Sequence, residues 1–128
     1  MPPRFRFLPL VLPVFLFGCS DDAPPGDPAA IARGRTLAEN CRACHDLTGQ
    51  NTGIGPSLAG ILNRPAGDVA GYAYSPGLQN ADFTWTPEKI GTFLQDPSAT
   101  IPETKMAITP LTSAQAADVV SYLRSIDR

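Results

Sequence analysis

Two thiols and an imidazole stand together at Cys41-Arg42-Ala43-Cys44-His45, in a chain of 128 residues that holds only three cysteines and one histidine. Thiols three residues apart on one turn can add to the two vinyl groups on one edge of a porphyrin. The next residue then presents its imidazole to the iron from one face. This is the attachment chemistry of a covalent haem c. A redox-active Cys-x-x-Cys pair expects a βαβ setting, and a zinc site expects further Cys or His ligands. Neither is offered, so the motif reads as one haem held by Cys41 and Cys44, with His45 on the iron.

A single histidine excludes bis-histidine ligation from within the chain. Met1 belongs to the leader described below, which leaves Met106 as the only methionine of the mature protein. Methionine usually fills cores. Met106, however, ends the irregular stretch Ile101-Pro102-Glu103-Thr104-Lys105-Met106, with few apolar neighbours in sequence, and reads better as the second axial ligand. The amines of Lys89 and Lys105, or an open position, are the competing readings.

The elements that must position these groups are few. Asp27-Pro28 is a helix start, an N-cap followed by proline, and predicts a helix from Pro28 to Cys44 with an apolar face of Ile31, Leu37, Ala38 and Cys41. Thr86-Pro87-Glu88 repeats the signal, Ile90, Phe93 and Leu94 form the stripe, and Asp96-Pro97 ends it. Thr112 and Gln115 make a capping box ahead of Ala116, Val119, Val120, Leu123 and Ile126. Between Asp46 and Trp85 lie about 40 residues with no long periodic segment and many glycines and prolines. Three modest helices and no stapling disulfide cannot enclose a large core. A large apolar cofactor, with the loops wrapped around it, resolves both difficulties; the expected fold is all-α.

The first 18 residues are a different material. Arg4-Phe5-Arg6, an apolar run from Phe7 to Phe17 and Gly18-Cys19 have the layout of a secretory signal, and eleven apolar residues are too short to span a membrane. Leu16-Phe17-Gly18-Cys19 resembles the bacterial lipobox, with Phe17 where a smaller residue is usual, and implies lipidation of Cys19. The expected organisation is therefore a signal peptide over 1–18, a lipid-anchored tether over 19–27 and a haem domain over 28–128. Cleavage leaves 110 residues with 8 of the 10 basic and all 12 acidic side chains, a net charge of −4, which excludes a strongly basic nucleic-acid binder.

From Asp27 to Arg128 the chain resembles a class I cytochrome c of the mitochondrial and purple-bacterial soluble type. Gly55-Pro56-Ser57-Leu58-Ala59-Gly60 is similar to the family's Gly-Pro-x-Leu-x-Gly, which implies that the Pro56 carbonyl accepts a hydrogen bond from His45. Arg64 with Gly67, the pair Tyr72 and Tyr74, and Trp85 match positions that surround the haem propionates. Thr104 and Met106 match the loop that delivers the axial methionine. Buried carboxylates need such donors; core packing of the aromatic rings and a solvated surface charge at Arg64 are the plain alternatives.

The departures from that family are informative. Phe93 replaces a tyrosine and Leu78 an asparagine, so the pocket is expected to be drier. Glu103 replaces a glycine of the methionine loop. Asn40, Ser98, Ala99, Thr112 and Ser113 stand where relatives carry lysines around the haem edge, and only Lys105 is retained. The resemblance implies a monomeric monohaem electron carrier rather than an enzyme, working in the bacterial periplasm between membrane-bound redox complexes. The alternatives are a haem subunit of a larger dehydrogenase or oxidase, and a ligand-binding or peroxidatic haem protein if Met106 is labile.

Overall fold

Local signals start every helix of the computed structural model, which describes residues 26–127. The signal segment 1–18, Cys19 and most of the tether lie outside these residues. Helix α1 spans Pro28–Ala38, and the Asp27 carboxylate caps it by accepting from the backbone N–H groups of Ala29 (3.1 Å) and Ala30 (3.2 Å). Four-residue helices follow at α2, Pro76–Gln79, and α4, Pro97–Thr100, on either side of α3, Pro87–Gln95. Thr86 caps α3, and Asp96 both ends α3 and caps α4 through Ala99 N–H. The last helix, α5, spans Ser113–Ile126 behind a complete capping box between Thr112 and Gln115.

The first helix is shorter than its sequence suggests. It ends at Ala38, and Cys41–Ala43 form a separate 3-10 turn. Its buried face is also different: Ala30, Gly34 and Ala38 are the covered residues, while Ile31 and Leu37 are half-buried at the margins. Small residues one turn apart let α1 approach α5 closely. A Cβ at Gly34 would run into the carbonyl oxygen of Asp118 and lie 2.9 Å from the Tyr122 Cβ. Beside this crossing Arg33 binds both carboxylate oxygens of Asp118, Nε to Oδ2 at 2.7 Å and Nη2 to Oδ1 at 2.8 Å.

The main core joins Ile90, Phe93 and Leu94 of α3 to Ala116, Val119, Val120 and Leu123 of α5, with Ile61, Trp85 and Ile101 from the loops. A smaller cluster of Ala38, Leu47 and Tyr122 lies under the α1–α5 crossing. The long middle is tied by backbone pairing of 63–66 with 83–85: Asn63 N–H to Trp85 O, Trp85 N–H to Arg64 O and Ala66 N–H to Phe83 O, each at 2.9 Å. That pairing fixes Arg64 and Trp85 relative to one another.

Two of the helical glycines, Gly34 and Gly91, make opposite tests of this packing. Gly34→Val is expected to destabilise the haem-loaded protein by about 3 kcal/mol or more, because two helix backbones must separate. Gly91 sits inside α3 with no atom within 4 Å of a built Cβ, so Gly91→Ala is expected to stabilise by about 0.5–1 kcal/mol through helix propensity. Denaturant titrations of both variants read these changes.

Candidate functional site

The turn that ends the α1 region gathers the reactive groups. Cys44 N–H and His45 N–H both bond to the Cys41 carbonyl, at 3.1 and 2.9 Å, so one tight turn presents two thiols and the imidazole together. Burial pushes the Cys41 thiol up, the reverse of what a redox-active thiolate needs. Among the described residues no group of three or more His, Cys, Asp or Glu side chains could hold a metal ion, and so the zinc alternative finds no further ligands.

His45 is held by the loop that follows it. Its Nδ1 lies 2.7 Å from the carbonyl oxygen of Pro56. A carbonyl can only accept, so Nδ1 carries the proton and Nε2 keeps its lone pair for a metal. The loop is anchored to the turn by Gly55 N–H to Cys44 O and Leu58 N–H to Asp46 O, each at 2.8 Å. Gly55 is required by contact: a Cβ there would overlap the imidazole ring. Asp46 knots the loop by accepting from Thr48, Gly49 and Asn51, which holds its carboxyl below the usual range, chiefly through the Gly49 N–H.

Arg64 is half-buried rather than a solvated surface charge. Its Nη1 donates to Ala59 O at 3.0 Å and its Nη2 to Ser57 O at 2.8 Å, so it braces the loop that braces His45. Tyr74 is buried, and its hydroxyl oxygen accepts from Val69 N–H at 3.1 Å, which leaves its proton to donate. Tyr72 meets Tyr74 edge-on at 4.7 Å, and its hydroxyl donates to Ile54 O at 3.0 Å. Trp85 packs edge-on between Phe83 and Phe93.

All ten residues singled out in the sequence, Cys41, Cys44, His45, Pro56, Arg64, Tyr72, Tyr74, Trp85, Thr104 and Met106, line one cavity of about 450 Å³. Apolar walls come from Leu37, Leu58, Ile61, Leu78, Phe93 and Leu94. The lysine alternatives are engaged elsewhere: the Lys89 ammonium lies 4.7 Å over the Phe83 ring, and Lys105 Nζ donates to Ala73 O at 2.9 Å. Met106 is half-buried against the main core, and its N–H bonds to the Thr104 hydroxyl at 3.2 Å.

One lining residue is new. Ser75 is 2% exposed, and its hydroxyl is the one buried side-chain polar atom without a hydrogen-bond partner among the described residues. It stands at the N-cap position of α2, yet its side chain caps nothing. An orphaned donor costs about 1–3 kcal/mol unless a ligand satisfies it. With the free protons of Tyr74 and Thr104 it supplies hydroxyls to a carboxylate-bearing guest. Thiols, a lone-pair nitrogen, apolar walls and these donors fit a haem c.

Residues 31–127 match the family model described as Cytochrome c. The chain is 36% identical over 108 residues to the cytochrome c-type cyt cy of Rhodobacter capsulatus, with 80% of this chain and 54% of that protein aligned, so it spans about half of that relative. It is 38% identical over 87 residues to cytochrome c2 iso-2 of Magnetospirillum fulvum, covering 67% of this chain and 91% of the relative. Among solved structures, cytochrome cH from Methylobacterium extorquens superposes with a TM-score of 0.69 at 31% identity, over 74% of this chain and 97% of that one.

The bracing role of Arg64 is open to measurement. Arg64→Ala removes two charge-assisted bonds from a half-buried site and is expected to cost about 2–3 kcal/mol in denaturant titrations of the haem-loaded protein. Arg64→Lys, without the planar fork, is expected to recover less than half of that loss.

Proposed function

The chain belongs to the cytochrome c family, and on that premise we propose that it carries single electrons between membrane-bound redox complexes, with His45 and Met106 as the residues that would hold the iron of its one haem c. The bound group supplies one-electron exchange at iron. The protein's task is to hold its ligands still. Pro56 fixes the tautomer and plane of His45, and Thr104 sets the backbone at Met106. Ser75, Tyr74 and Arg64 add polar groups to a lining that Phe93 and Leu78 make largely apolar. The observation that carries this reading is the convergence of the attachment turn, the Pro56-bonded imidazole and the Met106 loop on one cavity.

Export and lipidation at Cys19 belong to the same proposal: a monomeric domain on a short tether, in the bacterial periplasm, close to membrane partners. The rim of the cavity supports it. Asn40, Ala107, Ile108 and Thr109 are uncharged, and the Lys105 ammonium is tied to Ala73. Long-range charge steering is weak on such a face, and confinement near a membrane replaces it by raising the effective concentration.

Haem is expected to stay with the polypeptide on a denaturing gel and to be lost from it when both Cys41 and Cys44 are changed to Ser. The ferric protein is expected to show a methionine-to-iron charge-transfer band in the near infrared that Met106→Ala abolishes; a band unchanged by that substitution would remove Met106 from the site. Electron transfer to a membrane-bound oxidase is expected to change by less than about threefold as the Debye length falls from about 30 to 10 Å. A steep fall with salt would contradict the uncharged rim.

A further inference from the structure

The loop that ends in Met106 leans on a segment to which neither sequence nor family resemblance gives a role. Gly77, in α2, sits where a Cβ would run into the carbonyl oxygen of Pro102 and come within 3.1 Å of the Ile101 Cγ2. Its φ is not in the left-handed region, which among the described glycines is occupied by Gly26, Gly60, Gly67 and Gly71. Alanine would therefore suit the backbone at 77, and helix propensity alone favours it. What opposes a side chain there is the Pro102 carbonyl.

A displacement of Pro102 would pass along the loop by short steps. Glu103 is held at φ 59°, a conformation that a glutamate keeps only where its surroundings fix it. Thr104 N–H then bonds to Ile101 O at 3.2 Å, and Met106 N–H to the Thr104 hydroxyl at 3.2 Å. A second tie closes the same gap: Lys105 Nζ reaches across 32 residues of sequence to Ala73 O at 2.9 Å. Segments 73–77 and 101–106 are thus clamped at two points, one by close backbone approach and one by a hydrogen bond.

We infer that Gly77 is a positioning residue for Met106: the backbone of α2 serves as the stop against which the methionine loop is seated. The inference rests on the reading of Met106 as an iron ligand. A methyl group at 77 pushes Pro102 outward, and the turn at 101–104 carries that displacement to Met106. The effect falls on the ratio of seated to unseated loop, since the one core side chain among the nearest neighbours of a Cβ at 77 is Ile101, at the start of that loop.

Imidazole binding to the ferric haem-loaded protein reads this ratio, because an added ligand reaches the iron only when Met106 is off and its apparent affinity scales with the unseated fraction. Gly77→Ala is expected to raise that affinity about tenfold and to weaken the near-infrared band. Lys105→Ala, which adds no bulk, is expected to raise it about threefold. Gly91→Ala, whose added methyl meets no atom within 4 Å, is the control and is expected to leave it unchanged. Wild-type affinity in both Gly77→Ala and Lys105→Ala, with Met106→Ala binding imidazole much more tightly, would overturn the clamp while sparing the ligand assignment. Wild-type affinity in Met106→Ala would overturn the assignment itself.

Discussion

The rest of this structure depends on an interior that the chain cannot fill by itself. Its helices close around a cavity of about 450 Å³ whose walls are mostly apolar. The total stability of a small domain is about 5–15 kcal/mol. Apolar walls that only a large guest covers add little to that margin until they are covered, so a haem at Cys41 and Cys44 would serve the fold as well as the function.

The same constraint explains why so much of the chain is loop. A helix presents one stripe to a neighbour, whereas a wrap around a flat guest must deliver single groups from many directions. The segments that do so are fixed by specific bonds: the Asp46 knot, the Pro56 carbonyl on His45, the Arg64 fork on residues 57 and 59, and the pairing of 63–66 with 83–85. Together they hold the backbone that carries the lining of the cavity. An electron carrier benefits from this rigidity, because ligands that are already in place need little rearrangement when the iron changes charge.

Local chemistry was legible in the sequence, and contact chemistry was not. Asp27, Thr86 and Thr112 announce their helices because a cap and the helix it starts lie within four residues of one another. The end of α1 was hidden, since the apolar spacing of Leu37, Ala38 and Cys41 runs on past the true stop at Ala38. Its real face, built on Ala30, Gly34 and Ala38, is set by how closely α5 approaches, which no single-segment pattern encodes. The single-turn helices at Pro76 and Pro97 are too short to show a period. The ten cavity residues were found through motif and family resemblance. Ser75 belongs to no motif, and only its buried, unpartnered hydroxyl marks it.

The account stands most directly on whether the iron of this chain exchanges one electron reversibly between two well-seated ligands. An optically monitored redox titration of the haem-loaded protein measures that. Ligation by His45 and Met106 would give a single reversible step with the one-electron slope of about 59 mV per tenfold change, at the positive potential that methionine ligation favours. A strongly negative midpoint, several steps or no reversible step would contradict it.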